Sequence, residues 1–180
     1  MTNSDDGIQE KAIFIKHFST HVKLLLNRYV KYQQLEKVNN DDIDVGTYFD
    51  IIIVQLRALC IESQNLEKNY TVQNALRKFG KNEYADRIDE LLDEPFLDAK
   101  DKEGNTFTTR KALKILADKF ICHYDNFDNN SEGWGMGLVI EKRLMNPFNY
   151  PNLDSIVMGI VKNINEGFEM EALVKKYENR

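Results

Sequence analysis

The sequence is poor in cysteine, proline and histidine, and these scarcities exclude whole classes of protein. It holds two cysteines, three prolines, three histidines and one tryptophan in 180 residues. Cys60 and Cys122 each lie in an apolar helical pattern, which favours reduced core thiols over the disulfide framework of a secreted domain. The prolines, at positions 95, 147 and 151, stand in segments that we expect to be irregular.

The chain also lacks a basic excess and a long apolar run. Its net charge of −5 excludes a uniformly basic nucleic-acid-binding surface, although a local basic patch stays open. No apolar stretch approaches the length of a membrane span, so we expect no membrane partner. The N-terminal residues MTNSDDGIQEK contain no apolar core of a signal peptide. We therefore expect a cytoplasmic protein.

Helical periodicity dominates what is present. Apolar residues recur every three or four positions from Ile8 to about Val38, from about Val45 to Leu66, and from Thr108 to Asp125. Four shorter helices are predicted, over 70–79 (before Gly80), 83–93, 153–164 and 168–177 (on either side of Gly167). The pattern predicts one all-α domain over 1–180, an up-down helical bundle with a short-helix excursion and a C-terminal helical extension.

The connections between these helices have turn-like compositions. Residues 94–107 are predicted to form a loop, with a turn at KEGN. Residues 126–137 carry three glycines and Trp134, lack the P-loop pattern, and are predicted to be an extended connection. Residues 138–145 fit either a strand or a short helix, and residues 146–152 are expected to be irregular.

Two patterns raise the question of a metal. His17 and His21 lie one helical turn apart, and His123 is the one further histidine that could join them. Two imidazoles without an accompanying Cys or acidic motif do not make a zinc site. The acidic helix 83–93 could bind magnesium, but a single such helix more commonly presents a solvated face. We predict no metal and no cofactor.

Charged residues interrupt the second long helix where it should be most buried. Arg57 and Glu62 are these residues, and charges rarely lie in such places unless they are paired. Either they brace two helices through an ion pair, or they form a polar pocket that faces the helix 108–125. On that helix Lys119 and His123 are four residues apart and lie side by side.

The segment TYFDIIIVQLRALCIES, followed about fifty residues later by RKALKILADKFICHYDN, resembles prokaryotic HEPN-domain proteins, especially those of abortive-infection systems. The shared feature is a late helix that ends in Asp118, Lys119, His123 and Asp125. The resemblance covers roughly residues 8–128, and the loop and helices of 129–180 lie outside it.

The resemblance implies metal-independent RNA cleavage, in which a 2′-hydroxyl attacks the adjacent phosphate. In the active ribonucleases a His moves protons and an Arg, separated from it by four to six intervening residues, stabilises charge, often across a dimer. His123 matches that His, but the positions for the Arg hold Leu116, Ala117 and Asp118. Lys119 is one position too close, and it offers a point charge in place of a planar guanidinium.

These residues define the expected site. His123, Lys119 and Asp125 are the candidates for chemistry, and Arg57, Glu62, Asp118 and Arg110 are the candidates for binding. Arg110 lies too far along the helix to replace the missing Arg directly.

Three functions are consistent with this site. The first is a HEPN-like protein of a bacterial or phage defence or regulatory system, with a degenerate ribonuclease motif, which binds RNA, a nucleotide or a protein partner as a homodimer. The second is an active endoribonuclease in which Lys119 or Arg57 supplies the charge and His123 transfers protons. The third is a purely protein-binding module anchored by Trp134.

Overall fold

A computed structural model describes residues 3–38, 43–61, 71–100, 104–121 and 131–170. Within these ranges the chain forms seven α-helices, one π-helical segment and one two-stranded hairpin, which confirms the all-α class. The elements are α1 (Asn3–Val38), α2 (Ile43–Cys60), α3 (Val72–Lys78), α4 (Asn82–Asp93), β1 (Pro95–Lys100), β2 (Thr106–Thr108), α5 (Thr109–Ile115), the π segment (Leu116–Ile121), α6 (Ser131–Met145) and α7 (Leu153–Phe168).

One hydrophobic core joins the first and last of these helices. Phe18 of α1 and Phe168 of α7 are both fully buried, and their rings stack with centroids 5.6 Å apart. Phe49 of α2 and Phe96 of β1 belong to the same buried cluster. Helix α7, which lies outside the region of HEPN resemblance, is therefore an integral part of the bundle.

The short-helix excursion forms as predicted. Thr71 caps α3, because its hydroxyl oxygen accepts a hydrogen bond from the backbone N–H of Asn74. Gly80 ends the helix with φ of +72°, and the N–H of Lys81 closes the turn on the carbonyl oxygen of Leu76 at 2.9 Å. Helix α4 then buries the apolar face that its periodicity predicts, formed by Ala85, Ile88 and Leu92.

The loop predicted over 94–107 is wrong in part, because its two ends pair as β1 and β2. The strands are antiparallel, with Pro95 opposite Thr108 and Leu97 opposite Phe107. Such short, irregular strands carry no alternating pattern that a sequence could show.

Residues 131–137 are helical, which corrects the predicted extended connection in that part of the loop. They form the first turns of α6, and the same helix settles 138–145 as helix. Each glycine in a helix costs about 1 kcal/mol relative to alanine, but α6 recovers this by burying Ile140 and Leu144 completely or nearly so. Residues 126–130 lie outside the described part of the chain.

The predicted break at Gly167 is also wrong, since α7 runs through it to Phe168 and turns at Glu169, whose φ is 54°. Gly167 serves close packing: a Cβ atom there would lie 2.5 Å from Cδ2 of Leu76. The N-terminal end differs as well, because α1 begins at Asn3, five residues before the apolar pattern that starts at Ile8.

The connection between α6 and α7 is irregular, as predicted. Its backbone is held by side chains: Asn149 Nδ2 donates to the carbonyl oxygen of Arg143 at 3.2 Å, and Asn152 Nδ2 donates to that of Pro147 at 3.0 Å. The loop presents Phe148, which is 95 % exposed.

Across the described ranges, no helix combines the length and the apolar character needed to cross a lipid bilayer.

Candidate functional site

The expected site begins at the junction of α2 with the π segment. Arg57, in the last turn of α2, forms an ion pair with Asp118 of the π segment through its Nε atom. The two side chains are 26 % and 30 % exposed, so the pair lies at the edge of the core. The structure thus places side by side two residues that stand 61 positions apart in the sequence.

The π segment explains how Asp118 reaches this position. Helix α5 is regular, with Thr108 as its cap, and the chain widens into π-helical geometry from Leu116. A π turn contains an extra residue and often occurs at functional sites. Leu116 and Ala117 are completely buried, which anchors the segment and directs Asp118 to the edge.

Four further residues belong to the expected site. The chemistry candidates His123 and Asp125 and the binding candidate Glu62 lie outside the described residues, as does the side chain of the chemistry candidate Lys119. Lys119 belongs to the π segment through its backbone.

Arg110 belongs to a different cluster. Its Nε atom donates to Asp93 at 2.8 Å, and a terminal nitrogen donates to Asp89, also at 2.8 Å. The structure therefore joins Arg57 to Asp118 and joins Arg110 to α4, and it does not bring the two arginines onto a common carboxylate.

Asp89 is the centre of this second cluster. Besides Arg110, it accepts hydrogen bonds from Arg77 at 2.6 Å and from Gln73 at 3.1 Å. Burial alone would raise the pKa of Asp89, but the hydrogen bonds from Arg110, Arg77 and Gln73 outweigh it and lower this pKa. Gln73 also donates to the carbonyl oxygen of Cys60 at 3.0 Å, which ties the cluster to the end of α2.

The acidic helix is thus only partly a solvated face. The carboxylates of Asp86, Asp89 and Asp93 form ion pairs with Arg77 and Arg110, and this pairing offsets two of their three negative charges. Sequence reasoning missed Arg77 and Gln73, because nothing local marks residues whose partners lie on another helix.

A third group of polar residues lies between α1 and α2. The imidazole rings of His17 and His21 are 4.5 Å apart. Burial, followed by the charges of His17 and Arg28, lowers the pKa of His21. Among the described residues no group of three or more metal-ligating side chains is found, and His123 lies outside them.

Cys60 is a buried thiol, as the sequence predicts. Burial raises its pKa to about 12, so the thiolate that reacts as a nucleophile is not populated near neutral pH. Cys122 lies outside the described residues.

No known family model matches this chain, and no curated protein or solved structure matches it significantly either.

Proposed function

We propose that this chain is a HEPN-like RNA-binding protein of a bacterial or phage defence or regulatory system, which acts as a homodimer and holds RNA without cleaving it. The all-α bundle is compatible with this assignment. The ion pair between Arg57 and Asp118 is the observation that carries it.

The ion pair affects catalysis because the carboxylate of Asp118 offsets the positive charge of Arg57. Asp118 occupies a position where the active ribonucleases that this chain resembles carry an arginine. The guanidinium nearest to that position comes from Arg57, and the carboxylate of Asp118 already neutralises it. Stabilising a developing phosphate charge needs a cation aimed at it without competition. We therefore expect the site to have lost cleavage.

Binding an RNA phosphate does not require the guanidinium of Arg57 to be free of a competing carboxylate, whereas catalysis does. A guanidinium can form planar, paired contacts with a phosphate as it does with a carboxylate. An RNA phosphate can therefore take the place of the Asp118 carboxylate, and Lys119 and His123 follow one and five residues later in the sequence. Because the phosphate competes with Asp118, the resulting affinity is modest and depends on salt.

The experiment uses purified full-length protein and a labelled single-stranded RNA in EDTA, beside His123→Ala. We expect no cleavage by either protein, and RNA binding that weakens steeply as salt rises. Arg57→Gln should reduce RNA affinity at least fivefold. Arg87→Gln is the matched control, because Arg87 is an exposed arginine paired with Glu83 on α4.

Cleavage that disappears in both His123→Ala and Arg57→Gln would overturn this proposal in favour of an active endoribonuclease. One observation favours that second candidate: Arg57, which belongs to α2, brings a guanidinium next to residue 118.

Absence of RNA binding by the folded protein would overturn it in favour of a protein-binding module. The observation that favours this third candidate is the exposure of Phe148 on a loop held by side-chain hydrogen bonds, because exposed aromatic residues commonly anchor interfaces.

A further inference from the structure

Helix α2 carries a second apolar stripe that the described chain leaves uncovered. Ile51, Val54 and Ala58 recur at three- and four-residue spacing on the side of α2 away from the core. Ile51 is 37 % exposed, whereas its neighbours Ile52 and Ile53 are fully buried. The wide apolar arc of this helix suits the centre of a bundle, yet one part of it faces outward.

Helix α1 supplies the opposite wall of a groove along this stripe. The wall consists of His17, His21, Leu24, Arg28 and Lys31. Two adjoining cavities, of about 440 Å³ and 550 Å³, share Leu24, Arg28 and Ile51 in their linings. We call this feature the α1–α2 groove. The fourteen-residue separation of His17 from Lys31 gives it a length of about 21 Å, at 1.5 Å per residue.

Arg28 is the most informative side chain in the α1–α2 groove. It donates to the side-chain oxygen of Gln55 at 2.6 Å, and the nitrogen of the same amide donates to the carbonyl oxygen of His21 at 2.8 Å. Gln55 is only 7 % exposed, so its orientation is fixed. Arg57 and Arg110 face carboxylates, but the partner of Arg28 is a neutral amide, which holds the guanidinium in place without cancelling its charge.

We propose that the α1–α2 groove binds an amphipathic helix of a partner protein, with an acidic residue of that helix reaching Arg28. Apolar residues of the partner at i, i+3, i+4 and i+7 would pack on Leu24, Ile51 and Val54, as in other helix-in-groove complexes. The groove length matches about fourteen helical residues. Arg28 fixes the register, because its hydrogen bond to Gln55 holds the guanidinium at one place in the groove.

The charges at the edges of the α1–α2 groove favour one placement of the partner helix. The α1 edge carries Arg28 and Lys31, whereas the α2 edge carries Asp44 and Asp50. An acidic residue is attracted to the first edge and repelled by the second, so the acidic side of the partner should lie over α1. The groove shares no lining residue with the Arg57–Asp118 pair, and this proposal does not rest on RNA binding.

The test selects binders from a displayed library of fourteen-residue helical peptides on the full-length protein. The affinities of the selected peptides are then measured with purified variants. We expect selected sequences to share an apolar i, i+3, i+4, i+7 stripe and one Asp or Glu. Arg28→Gln and Ile51→Ser should each weaken their binding at least tenfold. Changing the acidic residue of the peptide to its amide should weaken binding to the wild type and have little effect on binding to Arg28→Gln.

Two variants serve as controls for folding and for surface chemistry. Arg87→Gln removes an equivalent charge from α4, and Met158→Ser removes an exposed apolar side chain from α7. Both should bind the peptides like the wild type.

Selected peptides whose affinity ignores both Arg28→Gln and Ile51→Ser would overturn the proposal. Self-association that Ile51→Ser abolishes would also overturn it, because a second copy of the chain would then be the occupant. Loss of RNA binding in Arg57→Gln leaves this proposal untouched, so the two proposals fail separately.

Discussion

The guanidinium of Arg57 in the last turn of α2 faces the carboxylate of Asp118 in the π segment. Under the proposed HEPN-like function, cleavage would require an arginine at position 118, so the pair has the acid where a cation would be needed and takes its cation from α2. Its local geometry leads to two predictions.

Exchanging the two charges should preserve the pair. Asp118→Arg alone places two cations together, and Arg57→Asp alone places two acids together, so each should lower the free energy of unfolding. The double variant should recover most of this loss. Because both side chains are about one-quarter to one-third exposed, we expect a coupling of about 0.5–1 kcal/mol. Urea unfolding of the four proteins measures it, and strictly additive losses would contradict a direct interaction.

Combining Asp118→Arg with Arg57→Ala should restore activity. This variant places an arginine five positions ahead of His123 and leaves it without the paired carboxylate, so we expect RNA cleavage in EDTA that the wild type lacks. Adding His123→Ala should abolish this cleavage. The charge-exchanged variant is the matched control and should stay inert, because its arginine remains paired with a carboxylate; cleavage by the exchanged pair would contradict this account.

Asp89 should be the most costly surface carboxylate to remove. Asp89→Ala leaves Arg77, Arg110 and Gln73 without their common acceptor, and we expect a loss of about 2–3 kcal/mol. Asp86→Ala is the matched control on the same helix. Asp86 is 60 % exposed and accepts one bond from Arg77, so its loss should be under about 1 kcal/mol. Chemical denaturation compares the two, and equal losses would refute the central position of Asp89.

Asp50 should make stability depend on pH in a narrow window. Burial, and then the nearby charge of Glu141, raises its pKa from 3.8 to about 6. Between these values the folded state binds the proton more tightly than the unfolded state, so stability falls as pH rises through the window and stays low above it. We expect Asp50→Asn to be more stable than the wild type by about 1 kcal/mol at pH 7, after allowance for solvent screening, and equal to it near pH 4.

Unfolding measured from pH 4 to 7 tests this sign directly. A difference between the two proteins that grew toward low pH would contradict it. Glu141→Gln is the companion variant, because removing the like charge should move the pKa of Asp50 back toward its ordinary value.

Gly167→Ala should destabilise the contact of α7 with α3 and α4. Its Cβ atom would lie 2.5 Å from Cδ2 of Leu76 and 3.2 Å from Cβ of Tyr84, and we expect a loss of about 1–3 kcal/mol. Gly46→Ala in α2 is the control, since a Cβ atom there meets nothing within 4 Å. That change should stabilise the protein by about 0.5–1 kcal/mol. Thermal unfolding of both variants should therefore shift in opposite directions.

The sequence predicts those parts of the fold that depend on local chemistry. The apolar stripe of α4, the stop at Gly80 and the irregular segment 146–152 all follow from residue spacing and turn chemistry. The extended connection predicted over the first turns of α6 is wrong because the glycines there favour a loop, and only the burial of Ile140 and Leu144 overrides them. The helix break predicted at Gly167 is wrong because this glycine allows close packing against Leu76 and does not end α7.

In the candidate site, too, the sequence predicts what depends on local chemistry and does not predict contacts between distant helices. The sequence indicates that Arg57 needs a partner, because it interrupts an apolar helix, but it does not identify Asp118 as that partner. The link between Arg77, Asp89 and Arg110 depends on how three helices pack. The wide apolar arc of α2 suits the centre of a bundle, but Ile51 is exposed, because periodicity indicates that a face is apolar and does not indicate what covers it.

The stacking of Phe18 on Phe168 has a consequence for synthesis of the chain. Helix α1 is translated before α7, and the ring that covers Phe18 follows about 150 residues later. Contacts this distant in sequence cannot form until α7 has been translated. The nascent helices α1 to α4 should therefore expose apolar surface during translation and depend on chaperones, and a fragment ending at residue 128 should not fold by itself.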